Sequence, residues 1–314
     1  MASDGLTLEE VVAERVLAVA GGGVDEHLRH TLKRNVLDSY AGICGSLRDT
    51  AMLANFERLA ADSDTAGGVP VWGIDRRAAI ADALFANAIL SRRSDLLDTY
   101  VSPNGMGGVH PSDNVAVVLT LADWLGMSGA QVLTTTHVAF WCSATFATYY
   151  DPESAGYDHD AAATFITVLA IGQAVGCSVQ QLVQAQRIAG MFGLDPNQAA
   201  VGQVTDWKHC TFASCAVRGL LAVRYARAGF EAPPDIYQGT AGVDRFFRHA
   251  DTPFEPAPDL DRIIFKRWPA LVFCQTPIDV AVDLAPRVTD PSAVTGVEVR
   301  TYAVAARNGA TPEA

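Results

Sequence analysis

The chain has 314 residues, 49% of them hydrophobic and 18% charged, with six cysteines and a formal net charge of −12. That length and balance suit one large or two ordinary globular domains and exclude general disorder. The acidic surplus argues against nucleic acid or an anionic membrane as partner, and leaves any small anion to a local cationic pocket.

The first five residues are neither basic nor apolar, so no targeting segment is expected, and no apolar run is long enough to span a membrane. A cytoplasmic, reducing setting is the default for cysteines without C-x-x-C spacing. Roughly the first 260 residues read as helix after helix. Thr7 and Glu10 frame a capping box whose helix runs to the glycines at 21–23. Asp25 to about Gly45 is amphipathic, with Leu28, Leu32, Val36 and Tyr40 at helical spacing. Arg77 to Asp98 is rich in Ala and Leu and is predicted to carry Asp95 and Asp98 on one face of its last turn. A glycine-rich loop, 102–108, leads to His110, and Ser112 with Asp113 caps a helix from Asn114 to Leu125. Further helices are predicted over 130–149, 160–175 (nearly uncharged, hence buried all round), after the capping box Ser178 to Gln181, and over 211–228.

The pattern changes after Pro233 and Pro234. An irregular connector leads to a short strand, Arg262 to Lys266, then a helix capped by Thr276 and Pro277, then an alternating strand from Val297 to Val304. Two units follow: a helical domain over 1–261 and, over 262–314, the start of a smaller α+β domain. One strand, one helix and one strand do not make a stable domain. The second unit is therefore expected to be incomplete, and its residues are expected to be cut early by protease.

Four places carry chemistry-bearing side chains. Asp95, Asp98 and His110 gather ionisable groups at one helix end and the next helix start. His159 sits between Asp158 and Asp160 at a helix N-terminus, where the helix end disfavours its charge and the acids favour it. A histidine pulled both ways titrates near neutrality, as proton transfer requires. Lys208 precedes a helix, where an ammonium is electrostatically unfavourable unless an anion meets it. Lys266 and Gln275 flank the turn after the connector. Each alone also fits a plainer role: solvated acids, a capping histidine, a surface lysine, a capping amide. His209 is taken as structural. No metal-ligand spacing, iron–sulfur pattern, dinucleotide fingerprint or G-x-S-x-G elbow is present, so neither metal nor cofactor is expected.

The stretch from Asp95 through Thr99 and Tyr100 to His110, Pro111, Ser112, Asp113 and Asn114, continuing to Ala122, Asp123, Trp124 and Leu125, resembles the MmgE/PrpD family. That family includes 2-methylcitrate dehydratase and cis-aconitate decarboxylase, and the pattern is most similar to the first. The likeness extends to His159, Lys208, and the segment from Lys266 and Pro269 to Gln275, Ile278 and Asp279. It implies a mainly α fold with a smaller α+β domain, a homodimer, and a cofactor-independent dehydratase acting on an alkylcitrate or related tricarboxylate. It further implies Asp95 and His159 as acid–base groups in either order, His110 as a catalytic group able to act with them or to bind a carboxylate, and Thr99, Lys208, Lys266 and Gln275 as substrate binders, with the charged groups converging in one cleft. Glutamine at 275, where decarboxylase-like members have histidine, is the dehydratase-like choice. The alternatives are a decarboxylase or epimerase of a related polycarboxylate such as cis-aconitate, or a truncated, non-catalytic member.

Overall fold

The computed structural model describes residues 5–63, 67–105, 107–199, 205–254, 257–302 and 305–306. It is mainly α. Helix α1 (Leu8–Gly21) opens on the expected capping box, with the Thr7 amide donating to Glu10 at 2.7 Å, and buries Leu8, Val12 and Val16 at four-residue spacing. In α2 (Glu26–Ser46) Asp25 caps the Leu28 amide at 2.8 Å, and α3 (Thr50–Asp62) is capped by Asp49. An antiparallel hairpin follows, β1 (Val69–Val71) on β2 (Arg76–Ala78), leading into α4 (Ile80–Arg93). Neither α3 nor this hairpin is anticipated by the sequence reading.

A second two-stranded pair, β3 (Tyr100–Val101) on β4 (Gly108–Val109), closes the glycine-rich loop ahead of α5 (Asp113–Leu125). Then come α6 (Gly129–Tyr149), β5 (Tyr150–Asp151), a 3-10 turn at His159–Ala162, α7 (Ala163–Ala174), α8 (Val179–Gly190) and α9 (Trp207–Arg227). Strand β6 (Arg248–His249) returns to pair with β5. Helix α7 is the centre of the core: every residue from Ala163 to Gly172 is buried, as its lack of charge predicts. It packs on α6, α8 and α9, while α4 packs on α2, α5 and α9. Close approach of α7 and α9 depends on Gly219, since a β-carbon there would press on Thr167 and lie 3.0 Å from the Val168 amide.

Three expectations are corrected. The helix predicted to reach Asp98 ends at Arg93. Asp95 adopts φ 51, the left-handed region in which a helix cannot continue, so the two acids do not share a helical face. The strand predicted over Arg262 to Lys266 is a 3-10 turn at Leu260–Arg262 followed by a single bridge, Ile264 to Thr99. The strand predicted from Val297 is irregular over 297–302; its last two residues lie outside the described ones. Alternation alone does not make a strand where no neighbour supplies ladder hydrogen bonds. Helix α10 (Gln275–Leu284) forms, but starts before Thr276 and buries none of its residues.

Candidate active site

Helix α4 delivers Arg92 on its last turn and Asp95 just beyond. The left-handed turn at Asp95, which aspartate tolerates better than most residues, aims its carboxylate at two ammonium groups. Lys266 donates to Asp95 Oδ1 at 3.0 Å and to the Asp95 carbonyl at 3.0 Å, and Lys208 Nζ lies 3.9 Å from Oδ2. Lys208 sits inside the first turn of α9, not ahead of the helix as the sequence suggests. The bridge to Thr99 carries Lys266 inward: Thr99 and Ile264 exchange both backbone hydrogen bonds at 2.8 Å, two residues before the lysine. The Lys266 side chain is 1% exposed, and burial lowers its pKa despite the pull of Asp95.

Asp98 is fully buried and latched to the start of α5. Its Oδ1 accepts from the Ser112 amide at 3.0 Å, and its own amide donates to Ser112 Oγ at 3.2 Å. Burial raises its pKa to about 7, with the Ser112 hydrogen bonds pulling the other way. The latch fixes His110. Its Nδ1 lies 2.6 Å from the Asp98 carbonyl oxygen, which can only accept, so Nδ1 carries the proton and Nε2 the lone pair. Thr99 Oγ1 is 3.4 Å from the same nitrogen. Burial, reinforced by Arg92, His159 and Lys266, drives the His110 pKa well below its usual value, so this imidazole is neutral.

His159 begins the 3-10 turn, which Asp158 caps by accepting from the Asp160 amide at 2.9 Å. Its Nδ1 is 3.2 Å from Asp158 Oδ1 and its Nε2 is 3.4 Å from Asp160 Oδ1. Its ring meets His110 edge to face, with centroids 5.3 Å apart. Burial opposes charge on His159, but Asp160 and Asp158 outweigh burial and the opposing Arg92, so its pKa is raised.

The residue missed by sequence reasoning is Arg92. Its buried guanidinium lies 2.7 Å from Asp113 Oδ2, 3.3 Å from Asp160 Oδ2, and 3.3 Å from His159 Nε2 through both Nη1 and Nη2. Asp113, buried behind it, has its pKa raised to about 7 by burial, against the pull of Arg92. No distinguishing signal marks it in the sequence, because Arg92 and Arg93 in the last turn of α4 are what the helix dipole favours there. Asp158, His159 and Asp160 bring one ligand atom each within 4.8 Å of one another. A cation there would sit against the Arg92 guanidinium, which already neutralises Asp160, so the donor set suits a metal poorly.

The structure thus brings Asp95, Thr99, His110, His159, Lys208 and Lys266 together around Arg92. Gln275 makes its hydrogen bonds to its own loop instead. Its Oε1 accepts from the Arg267 and Trp268 amides at 3.0 and 2.9 Å, and its Nε2 donates to the Trp268 and Ala270 carbonyls at 3.0 and 3.1 Å. It pins the turn that follows Lys266. His209 is buried, and its pKa falls to about 4 through burial and then Arg93 and Lys208. A groove of about 750 Å³ between α2 and α6 shares no residue with the cluster. A smaller cavity of about 380 Å³, lined by Asp195, Trp207 and Thr211, adjoins the first turn of α9.

A model of the MmgE/PrpD N-terminal domain matches residues 10–255. The chain belongs to the MmgE/PrpD family. The family is one of dehydratase- and lyase-type enzymes, so a buried set of acid–base and cationic groups is the chemistry it calls for. The match spans every member of the MmgE/PrpD cluster except Lys266, which reaches the site from beyond residue 255. Among the described residues no helix is long and apolar enough to cross a membrane.

Proposed function

We propose that this MmgE/PrpD protein is a cofactor-independent hydro-lyase that removes water from 2-methylcitrate or a closely related tricarboxylate. The observation that carries the reading is the convergence of Lys208 and Lys266 on a single carboxylate, that of Asp95, beside two imidazoles. Dehydration of such a substrate needs three things: a base for the proton on carbon next to a carboxylate, an acid for the leaving hydroxyl, and cations for the carboxylates and the charge that builds between them.

The lysines supply the cations. His110, neutral and with Nε2 free of any described partner, supplies a lone pair for the carbon-bound proton. His159, whose carboxylate neighbours favour its charged form, supplies the proton for the hydroxyl. Asp95 holds the ammonium pair in place and can exchange protons with the substrate once a substrate carboxylate takes over the lysines. Thr99 can hydrogen-bond a substrate oxygen. Support for the 2-methylcitrate branch comes from the pattern His110 to Leu125. The family resemblance also supports a homodimer, and the chain's division near residue 261 remains part of the same reading.

The test is an assay of alkene absorbance on 2-methylcitrate with chelator present. Turnover under those conditions is expected. Activity that appears only after reconstitution with iron and sulfide would overturn the cofactor-free route, and release of carbon dioxide without loss of water would assign a decarboxylase instead.

A further inference from the structure

His159 Nε2 faces two groups of opposite charge. Asp160 Oδ1 is 3.4 Å away, and both terminal nitrogens of Arg92 are 3.3 Å away. A carboxylate can only accept a hydrogen bond from Nε2–H, and a guanidinium can only donate one to an Nε2 lone pair. The two neighbours therefore suit the two protonation states of one nitrogen. In both states Nδ1 keeps its hydrogen toward Asp158 Oδ1, 3.2 Å away. Arg92 is not free to drift, because Asp113 holds Nη1 at 2.7 Å and the side chain is 7% exposed.

We propose that Arg92 is a positioning residue for proton transfer at His159: Asp160 receives Nε2–H while the ring is charged, and Arg92 takes up the Nε2 lone pair once the proton has left. The inference rests on the dehydratase reading for the proton's destination. There, the Nε2–H bond breaks and the substrate C–O bond breaks with its electrons on oxygen. The proton joins that oxygen to form water, and the pair left on Nε2 meets an Arg92 N–H. The ring passes through the step without Nε2 left unpartnered.

The groups facing His159 set the direction of its titration. Asp158 and Asp160 come from its own turn, Glu153 from the preceding 3-10 turn, Asp113 from α5, Asp195 lies beside Asp160, and His110 meets the ring edge-on. Against them stands Arg92, a fixed cation in contact with the ring. Without it the carboxylates would hold the proton too tightly for release.

The decisive measurement is nitrogen NMR of histidine-labelled protein without substrate, with the His159 signal assigned by its loss in His159→Gln. Above its titration, wild-type His159 is expected as the Nδ1–H tautomer, the minority form of free imidazole. In Arg92→Gln the midpoint is expected to rise by about one pH unit or more, a tenfold gain in proton affinity, and in Arg92→Lys to return toward the wild-type value. Turnover of Arg92→Gln is expected to fall roughly 10²–10⁴-fold with little change in KM, its high-pH limb moving with the midpoint. An Nε2–H tautomer in the wild type, or an unmoved midpoint in a folded Arg92→Gln, would overturn the proposal. Should Arg92→Gln not fold, the wild-type tautomer still decides. These readings need no turnover, so a wild type inert toward every polycarboxylate would sink the dehydratase reading and leave the Arg92 assignment to be judged by itself.

Discussion

Asp98 shows how burial alone can set a charge state. Among the described residues its carboxyl hydrogen-bonds to Ser112 alone and its Oδ2 has no partner, and its pKa is raised from 3.8 to about 7. The folded state therefore holds a proton that the unfolded chain loses above about pH 4, and this residue's contribution to stability falls as pH rises through that window up to about 7. Asp98→Asn removes that proton uptake. The stability difference between mutant and wild type, from urea unfolding, is expected to shift in the mutant's favour between pH 5 and pH 8, by on the order of 1 kcal/mol or more. A flat difference would assign Asp98 an ordinary carboxyl. Lys208→Met should mainly raise KM, by up to about 2–5 kcal/mol of lost binding, toward the low end because Lys208 is 32% exposed. His159→Ala should instead lower kcat roughly 10²–10⁴-fold, and the reverse pattern would exchange the two assignments. At this scale the sequence was legible where a residue breaks a local rule: an ammonium at a helix start, a histidine between two acids. It was silent on Arg92, because an arginine at a helix C-terminus satisfies the helix dipole and draws no notice. It misled on Gln275, whose amide serves the backbone of its own loop.

The helices were legible because caps and apolar spacing are local signals, and the errors fall where a partner decides the outcome. The end of α4 is set by the left-handed turn at Asp95, which answers to Lys266, 171 positions away. The strand predicted over 262–266 keeps a single bridge, to Thr99, and the one predicted from Val297 has no ladder partner over its described length. Between α7 and α9 a local signal points the wrong way. Glycine inside a helix costs about 1 kcal/mol relative to alanine, so propensity says that Gly219→Ala stabilises. The packing says otherwise. Thr167, against which the new methyl would press, is already bonded to the Ala163 carbonyl at 2.9 Å, and the Val168 amide beside it is fixed backbone. Overpacking of this kind costs about 1–3 kcal/mol. Gly219→Ala is thus expected to lower the urea midpoint, and a rise would show that α9 shifts freely on α7.

Over the whole molecule, burial is uneven. The core runs through α1 to α9, whereas α10 buries nothing and Val297, Val299 and Tyr302 are 83%, 59% and 60% exposed. Backbone so little packed opens at small cost. Limited proteolysis is expected to cut first within 275–302 and to leave the body from α1 to β6 intact; first cuts inside α4, α7 or α9 would contradict this. The segment just before the exposed region is different. Leu260 and Ile263 are buried, Ile264 bridges Thr99, and Lys266 ends at Asp95. One lysine therefore belongs both to the proposed substrate site and to the seam that fastens this segment to the helical body. Binding and fastening then become a single thermodynamic quantity. A tricarboxylate that prefers the seated lysine holds the segment down by the same factor by which seating improves its affinity, as reciprocity between linked equilibria demands. Any substitution that loosens the seam, even one far from the imidazoles, is felt as weaker substrate binding, and saturating substrate is felt as a slower protease.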